Sequence, residues 1–168
     1  NMRLGSGIAP ILEMLTMGVK VGIGVDGSAS NDSSHLLGEA RLAMLLSRVG
    51  AGVQGASRSG EGAPPLMSAR QALEMATRGG AAVLGRTDIG SLEVGKCADL
   101  FAINLNRLDY AGALHDPVAA ALFCAPQTVD LNIVGGKTIV KDGKMVTVDV
   151  PSLVQQHNQA AARLLTGD

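Results

Sequence analysis

Aromatic side chains are nearly absent from this chain: of 168 residues two are Phe, one is Tyr and none is Trp. A core must therefore be assembled from Leu, Ile, Val, Met and Ala, and the stacking platforms with which single-strand nucleic-acid binders hold bases are missing. A large excess of charge of either sign is missing too. Lys and Arg number 14 against 15 Asp and Glu, for a formal net charge of −1, and the basic residues form no cluster. That excludes a nucleic acid or an anionic membrane held by a basic patch. No apolar run approaches the length of a membrane span. Cys97 and Cys124 are the only cysteines, with neither C-x-x-C spacing nor a companion His. They read as reduced, buried thiols of a cytoplasmic protein.

What is present is the composition of a folded chain, with 46% hydrophobic and 17% charged residues. In GIAPILEMLTMG, Ile8, Ile11, Leu12 and Leu15 recur at helical spacing before a stop at Gly18. From Val19, the residues Val21, Ile23 and Val25 alternate with Lys20, Gly22 and Gly24, the period of a β-strand. A second helix carries Leu36, Leu37, Ala40, Met44 and Val49 inward, with Ser33 or Ser34 as N-cap, and ends near Gly50. Residues 51–65, rich in Gly, Ser and Pro, read as a loop. Ser68 and Gln71 form a capping-box pair opening a third helix, which Gly79 closes. Beyond residue 86 the pattern turns to short β-rich runs over 89–105, 129–140 and 141–148, punctuated by Gly95, Gly135–Gly136 and Asp142–Gly143. HDPVAAALFCA interrupts them as a helix with Asp116 as N-cap and Pro117 in its first turn, and a final helix runs from about Pro151 to Leu165 with Leu153, Val154, Ala161, Leu164 and Leu165 on one side.

VGIGVDGSASNDSSHL, residues 21–36, contains the chemistry-bearing stretch. Gly22, Gly24 and Gly27 spell G-x-G-x-x-G after a strand pattern, which would suit a dinucleotide's pyrophosphate. That fold needs its helix to begin inside the motif and an acidic strand end some 20 residues on. Here the next helix starts only after a polar segment, and the required second strand is absent. In the other reading, Asp26 ends a parallel strand, where α/β barrels gather active-site residues, and its carboxylate binds a divalent metal or accepts a proton. The bland alternative, that Asp26 only shapes a turn with Gly27, stays open on pattern alone.

NMRLGSGIAPI, VGIGVDGSASNDSSHLLGEARLAMLLSR, ATRGGAAVLGRTDIGSLEVGKCADL and VGGKTIVKDGKMV together resemble the C-terminal part of the amidohydrolase superfamily. The likeness is to its aminohydrolases acting on heteroaromatic rings, a group with 8-oxoguanine, hydroxyatrazine and isoxanthopterin among its substrates. It implies an α/β fold: residues 1–86 as the last βα units of a (β/α)8 TIM barrel, 87–150 as part of a small β-sandwich with an inserted helix near 116–125, and 151–168 as a C-terminal helix. It implies one catalytic zinc or iron in the intact protein, with Asp26 matching the aspartate that ends the eighth barrel strand, contacts the metal and shuttles protons. Asn1 and Arg3 match the substrate-contacting loop after the seventh strand; Ser28, Ser30 and Asn31 match the loop after the eighth. The activity so implied is hydrolytic deamination of an oxidised purine of the 8-oxoguanine kind, with s-triazines, pterins or a metal-free binding role as alternatives.

The family's H-x-H motif, two further metal histidines and catalytic Glu have no match here, for His35, His115 and His157 are the only histidines. The chain therefore reads as a C-terminal piece that binds no metal and has no activity alone, whose partners are the N-terminal half of the same protein, a small heteroaromatic substrate and, when intact, further copies of itself. His35 reads either as a substrate contact or as a solvated helix-end residue; His115 orders a loop and His157 lies on a polar helix face. Asp99 reads as fixing a turn or strand edge. Met14, Met17, Met44, Met67 and Met75 fall at helical positions as core filler.

Overall fold

A computed structural model describes residues 3–53, 66–124 and 128–167. The chain divides into two compact units, one formed by residues 1–96 and 105–127, the other by 97–104 and 128–168. The division falls at Lys96/Cys97 rather than at residue 86, and the inserted helix joins the first unit.

The first unit is helical. Helix α1 (Ile11–Thr16) ends at Met17 and is followed by Gly18 at φ +77°, the left-handed stop expected from the sequence. Helix α2 (Leu36–Val53) runs past Gly50 because residues 51–53 continue its turns; residues 54–65 lie outside the described residues. Helix α3 (Ala69–Glu74) opens on Ser68, whose side chain accepts from the Gln71 N–H at 3.1 Å while Gln71 Oε1 accepts from the Ser68 N–H at 2.8 Å. This reciprocal pair satisfies two N–H groups that the first turn leaves without partners. The chain does not stop at Gly79. It passes through a π-helical turn (Met75–Gly79) into α4 (Gly80–Val83), and Gly85 at φ +67° follows the end.

Gly79 has a different task. A Cβ there would collide with the backbone carbonyl oxygen of Val21, and one on Gly22 would lie 3.0 Å from Gly80 Cα. Helix and segment 19–25 thus cross backbone to backbone, which any side chain would prevent. Helix α5 (Pro117–Phe123) is capped as expected, with Asp116 Oδ1 accepting from the Ala119 N–H at 2.9 Å.

The core of this unit joins Ala40 and Met44 of α2, Met67 just before the α3 cap, Ala69, Ala72 and Met75 of the helical stretch that follows, and Leu122 of α5. Alanines bring the helices close, and Met44, Met67 and Leu122 fill the space left between them. Met17, by contrast, is 81% exposed and fills no core. Val21 and Ile23 pack against this cluster, so the alternation reported their facing correctly. Among the described residues, however, segment 19–25 belongs to no β-ladder. Alternation encodes which side chains face inward, whereas a ladder needs a neighbouring strand, and every described strand lies in the second unit.

The second unit is a four-stranded antiparallel sheet in the order β1 (Leu100–Ala102), β2 (Leu131–Val134), β3 (Lys137–Lys141), β4 (Lys144–Met145). Strand begins only at Leu100, so residues 89–99 of the first β-rich run are turns and irregular chain. Both hairpin turns have two residues at positive φ: Gly135 and Gly136 at +54° and +77°, Asp142 and Gly143 at +51° and +74°. Turns of that hand match the right-handed twist of the flanking strands. A bulge on β3 near Ile139 shifts the register, since Asn132 faces Val140 while Ile133 faces Thr138. Asp99 accepts from the Gly135 N–H at 2.6 Å and fastens the first hairpin turn. Helix α6 (Val150–Thr166) forms where expected, but its apolar side is exposed: Leu164 and Leu165 are 85% and 89% accessible.

Cys97 and Cys124 are half-buried rather than buried. Among the described residues, no helix is long and apolar enough to cross a membrane.

Candidate active site

Segment 19–25 ends on Asp26, which adopts φ +63°. A left-handed conformation is unfavourable for most L-residues but tolerated by Asp, whose short polar side chain can bond locally. Here it does. The N–H groups of Ser30 and Asn31 both donate to the Gly27 carbonyl, at 3.0 and 2.9 Å, closing a tight turn over 27–31. That turn brings Ser30 Oγ to 2.6 Å from Asp26 Oδ2 and 3.1 Å from the Gly27 oxygen. The hydroxyl has one hydrogen to give, and the shorter, charged acceptor takes it. Donation from Ser30, then from the Gly27 backbone, holds the Asp26 carboxyl below its ordinary value. Asp26 is exposed, and it is held ready as an anion.

The loop continues through a second clamp. Asn31 Oδ1 accepts from the Ser33 N–H at 3.0 Å and lies 3.2 Å from Ser33 Oγ. Its Nδ2 donates to Glu39 Oε1 at 2.7 Å. Glu39 sits in the first turn of α2. That helix is capped by neither Ser33 nor Ser34. Ser34 is itself left-handed at φ +46°, and His35 takes the N-cap place: its carbonyl accepts from the Glu39 N–H at 3.0 Å and its Nδ1 from the Gly38 N–H at 2.7 Å. An imidazole nitrogen that accepts carries no proton, so this cap requires an unprotonated Nδ1.

These groups form one wall of a cleft of about 420 Å³ within the first unit. Asp26, Ser30, Asn31 and Glu39 supply its polar side; Ile8, Leu46 and their neighbours supply the apolar side. A cavity of this size, apolar with a few convergent polar groups, suits a small organic molecule. Of the residues proposed from sequence, Asp26, Ser30 and Asn31 come together here. Ser28 is exposed on the loop and is not among the lining residues. Arg3 reaches the same loop by another route, with Nη1 2.6 Å from each carboxylate oxygen of Asp32. Asn1 lies outside the described residues. Glu39 was not singled out from the sequence. The available signal was an acid in the first turn of the helix directly after the polar loop.

Among the described residues no three His, Cys, Asp or Glu side chains lie together as a cation would need, and zinc takes three or four protein ligands. Asp26 fits as a single anionic ligand. His115 and His157 are exposed and do not line the cleft.

Residues 1–146 match the model of the amidohydrolase family. The chain belongs to that family. It is 44% identical over 167 residues to 8-oxoguanine deaminase of Pseudomonas aeruginosa, covering 99% of this chain and 34% of that protein. It is 41% identical to 5-methylthioadenosine/S-adenosylhomocysteine deaminase of Desulforudis audaxviator, over 98% of this chain and 36% of that one. Among solved structures, an adenosine deaminase from Xanthomonas campestris with bound zinc superposes with a TM-score of 0.85 at 31% identity, covering 99% of this chain and 36% of that one. The amidohydrolase chain thus spans about a third of the length of these relatives.

Proposed function

We propose that this chain is the aspartate-bearing portion of a hydrolytic deaminase acting on a heteroaromatic ring. The observation that carries this reading is Asp26 itself: an ionised carboxylate, aimed by a left-handed turn and fastened by Ser30, at the polar wall of a cleft that fits a small molecule. In this reading segment 19–25 is the last strand of a (β/α)8 barrel whose other strands lie in the remainder of the protein, and the sheet of the second unit is part of a β-sandwich.

Deamination exchanges a ring amino group for oxygen. A water adds to the ring carbon bearing the amino group, and Asp26 accepts the proton that the water sheds. The same carboxyl then gives that proton to the amino nitrogen, which departs as ammonia. Ser30 keeps the carboxylate oriented through both transfers. The apolar wall takes the face of the ring and excludes bulk water. A zinc ion, with Asp26 as one of its ligands, would supply the charge that acidifies the attacking water. The remaining ligands would come from the rest of the protein.

An oxidised purine of the 8-oxoguanine kind is the substrate class we favour, on the 44% identity to a deaminase of that name. A purine nucleoside or thionucleoside is the second reading, because a deaminase named for such substrates is 41% identical over nearly the same span. The test is ammonia release by the complete protein from 8-oxoguanine, guanine, isoxanthopterin, hydroxyatrazine and 5-methylthioadenosine, with zinc content measured in parallel. Turnover of 8-oxoguanine above the others supports the first reading and turnover of 5-methylthioadenosine the second. No turnover of any, with no bound metal, would overturn both.

A further inference from the structure

We propose that Glu39 is a positioning residue for Asp26, acting through Asn31 and the turn that carries Ser30. The inference rests on the reading of Asp26 as the proton-transferring group.

Four contacts in series carry it. Glu39 Oε1 accepts from Asn31 Nδ2 at 2.7 Å, a half-buried bond to a charged acceptor and so a strong one. The Asn31 amide cannot be turned the other way: its Oδ1 faces the Ser33 N–H, which can only donate, so its Nδ2 must face the carboxylate. With its side chain held at both ends, Asn31 donates its backbone N–H to Gly27, and Ser30 does likewise, which closes the turn. The closed turn puts Ser30 Oγ on Asp26 Oδ2.

Glu39 is the only member of this chain of contacts that sits in a regular element. Asp26, Ser30, Asn31 and Ser33 all lie in loop, whereas Glu39 lies in the first turn of an 18-residue helix with a half-buried cap. The helix N-terminus favours a carboxylate there. Glu39 therefore transmits the rigidity of α2 to a loop that has no ladder or helix of its own. Its place in the cleft wall raises a competing role, direct contact with substrate, and the two roles differ in what they predict for kinetics.

In the complete enzyme, Glu39→Ala should lower kcat roughly 10- to 100-fold, the cost of a catalytic group misplaced by a fraction of its reach, with KM nearly unchanged. Glu39→Gln keeps an oxygen that accepts from Asn31 and should restore most of the lost rate. Asn31→Ala should match Glu39→Ala, and the double variant should be no worse than the more damaging single one, because both cut the same path. Wild-type kcat in Glu39→Ala overturns the proposal. So does a raised KM at unchanged kcat, which would make Glu39 a substrate contact. Glu39→Gln as poor as Glu39→Ala overturns it as well, since charge rather than the Asn31 bond would then matter. If Glu39→Ala does not fold, Glu39→Gln and Asn31→Ala still decide, the proposal requiring the first active and the second impaired. Full activity of Asp26→Asn would strike the underlying reading instead, so the two failures are separable.

Discussion

The dipeptide Asp-Gly occurs at two turns in this chain, Asp26–Gly27 and Asp142–Gly143, and in both the aspartate is left-handed, at φ +63° and +51°. At 142–143 the glycine is left-handed too, and the pair closes a hairpin between β3 and β4. At 26–27 only the aspartate is. The chain then enters a tight turn whose serine bonds the aspartate's carboxylate and lowers its pKa. The same two residues thus close a hairpin in one place and present a carboxylate to a cleft in the other. The difference lies in what surrounds them: strand on both sides in the second unit, a polar loop and a capped helix in the first.

The largest effect should come from the same substitution at the two aspartates. Asn tolerates positive φ as Asp does, so backbone geometry is preserved in both variants. Asp26→Asn in the complete enzyme should lose on the order of 10²- to 10⁴-fold in kcat, the usual worth of a positioned acid–base group. Asp142→Asn should keep full activity and change stability by no more than about 0.5 kcal/mol. Near-wild-type deamination by Asp26→Asn would reduce both turns to scaffold.

The next effects are on stability and compare the glycines of the two units. Gly79→Val puts atoms where the Val21 carbonyl already lies and should cost about 1–3 kcal/mol in urea unfolding of the protein, as overpacking does. Gly143→Ala has open space around its Cβ and suffers only from its positive φ, an expected loss of about 1 kcal/mol. An unfolding midpoint unchanged in Gly79→Val would show that helix and segment do not cross so closely.

The smallest effect is a titration. With the Ser30 hydroxyl removed, Asp26 loses the main cause of its lowered pKa, so in Ser30→Ala the carboxyl 13C signal of metal-free protein should titrate at higher pH. A carboxyl whose pKa is depressed on folding stabilises the fold above its ordinary value and stops doing so as pH falls through the folded one. In Ser30→Ala that contribution shrinks. An unmoved titration would mean the hydroxyl spends its proton on Gly27.

Local chemistry made much of this legible. The Ser68–Gln71 box, the Asp116–Pro117 helix start and both hairpin turns are written within a few residues of where they act. At Asp26 the strand-like run ending in an acid left a turn-shaping role open, and only the family resemblance singled the carboxylate out. What could not be read was non-local or unusual. The ladder expected of segment 19–25 depends on neighbours that alternation does not encode. The cap of α2 is a histidine, a poor cap by preference, whereas two nearby serines are good ones. The clamp on Asn31 comes from Glu39, eight positions away across a helix start. Gly79 looked like a helix terminator because a glycine needed for close approach and one needed for a stop are the same letter.

The π-helical turn at Met75–Gly79 adjusts the phase of the helix it interrupts. A helix advances about 100° per residue, so one turn wound with an extra residue rotates everything after it. Up to the first residue of the turn the helix buries Ala69, Ala72 and Met75; from its last residue on, it presents Gly79 and Gly80 to Val21 and Gly22. A single-residue deletion in that turn would leave a more regular helix that no longer keeps both appointments. Regularity and fit are opposed at this point, and the segment that ends in Asp26 is held by the irregular choice.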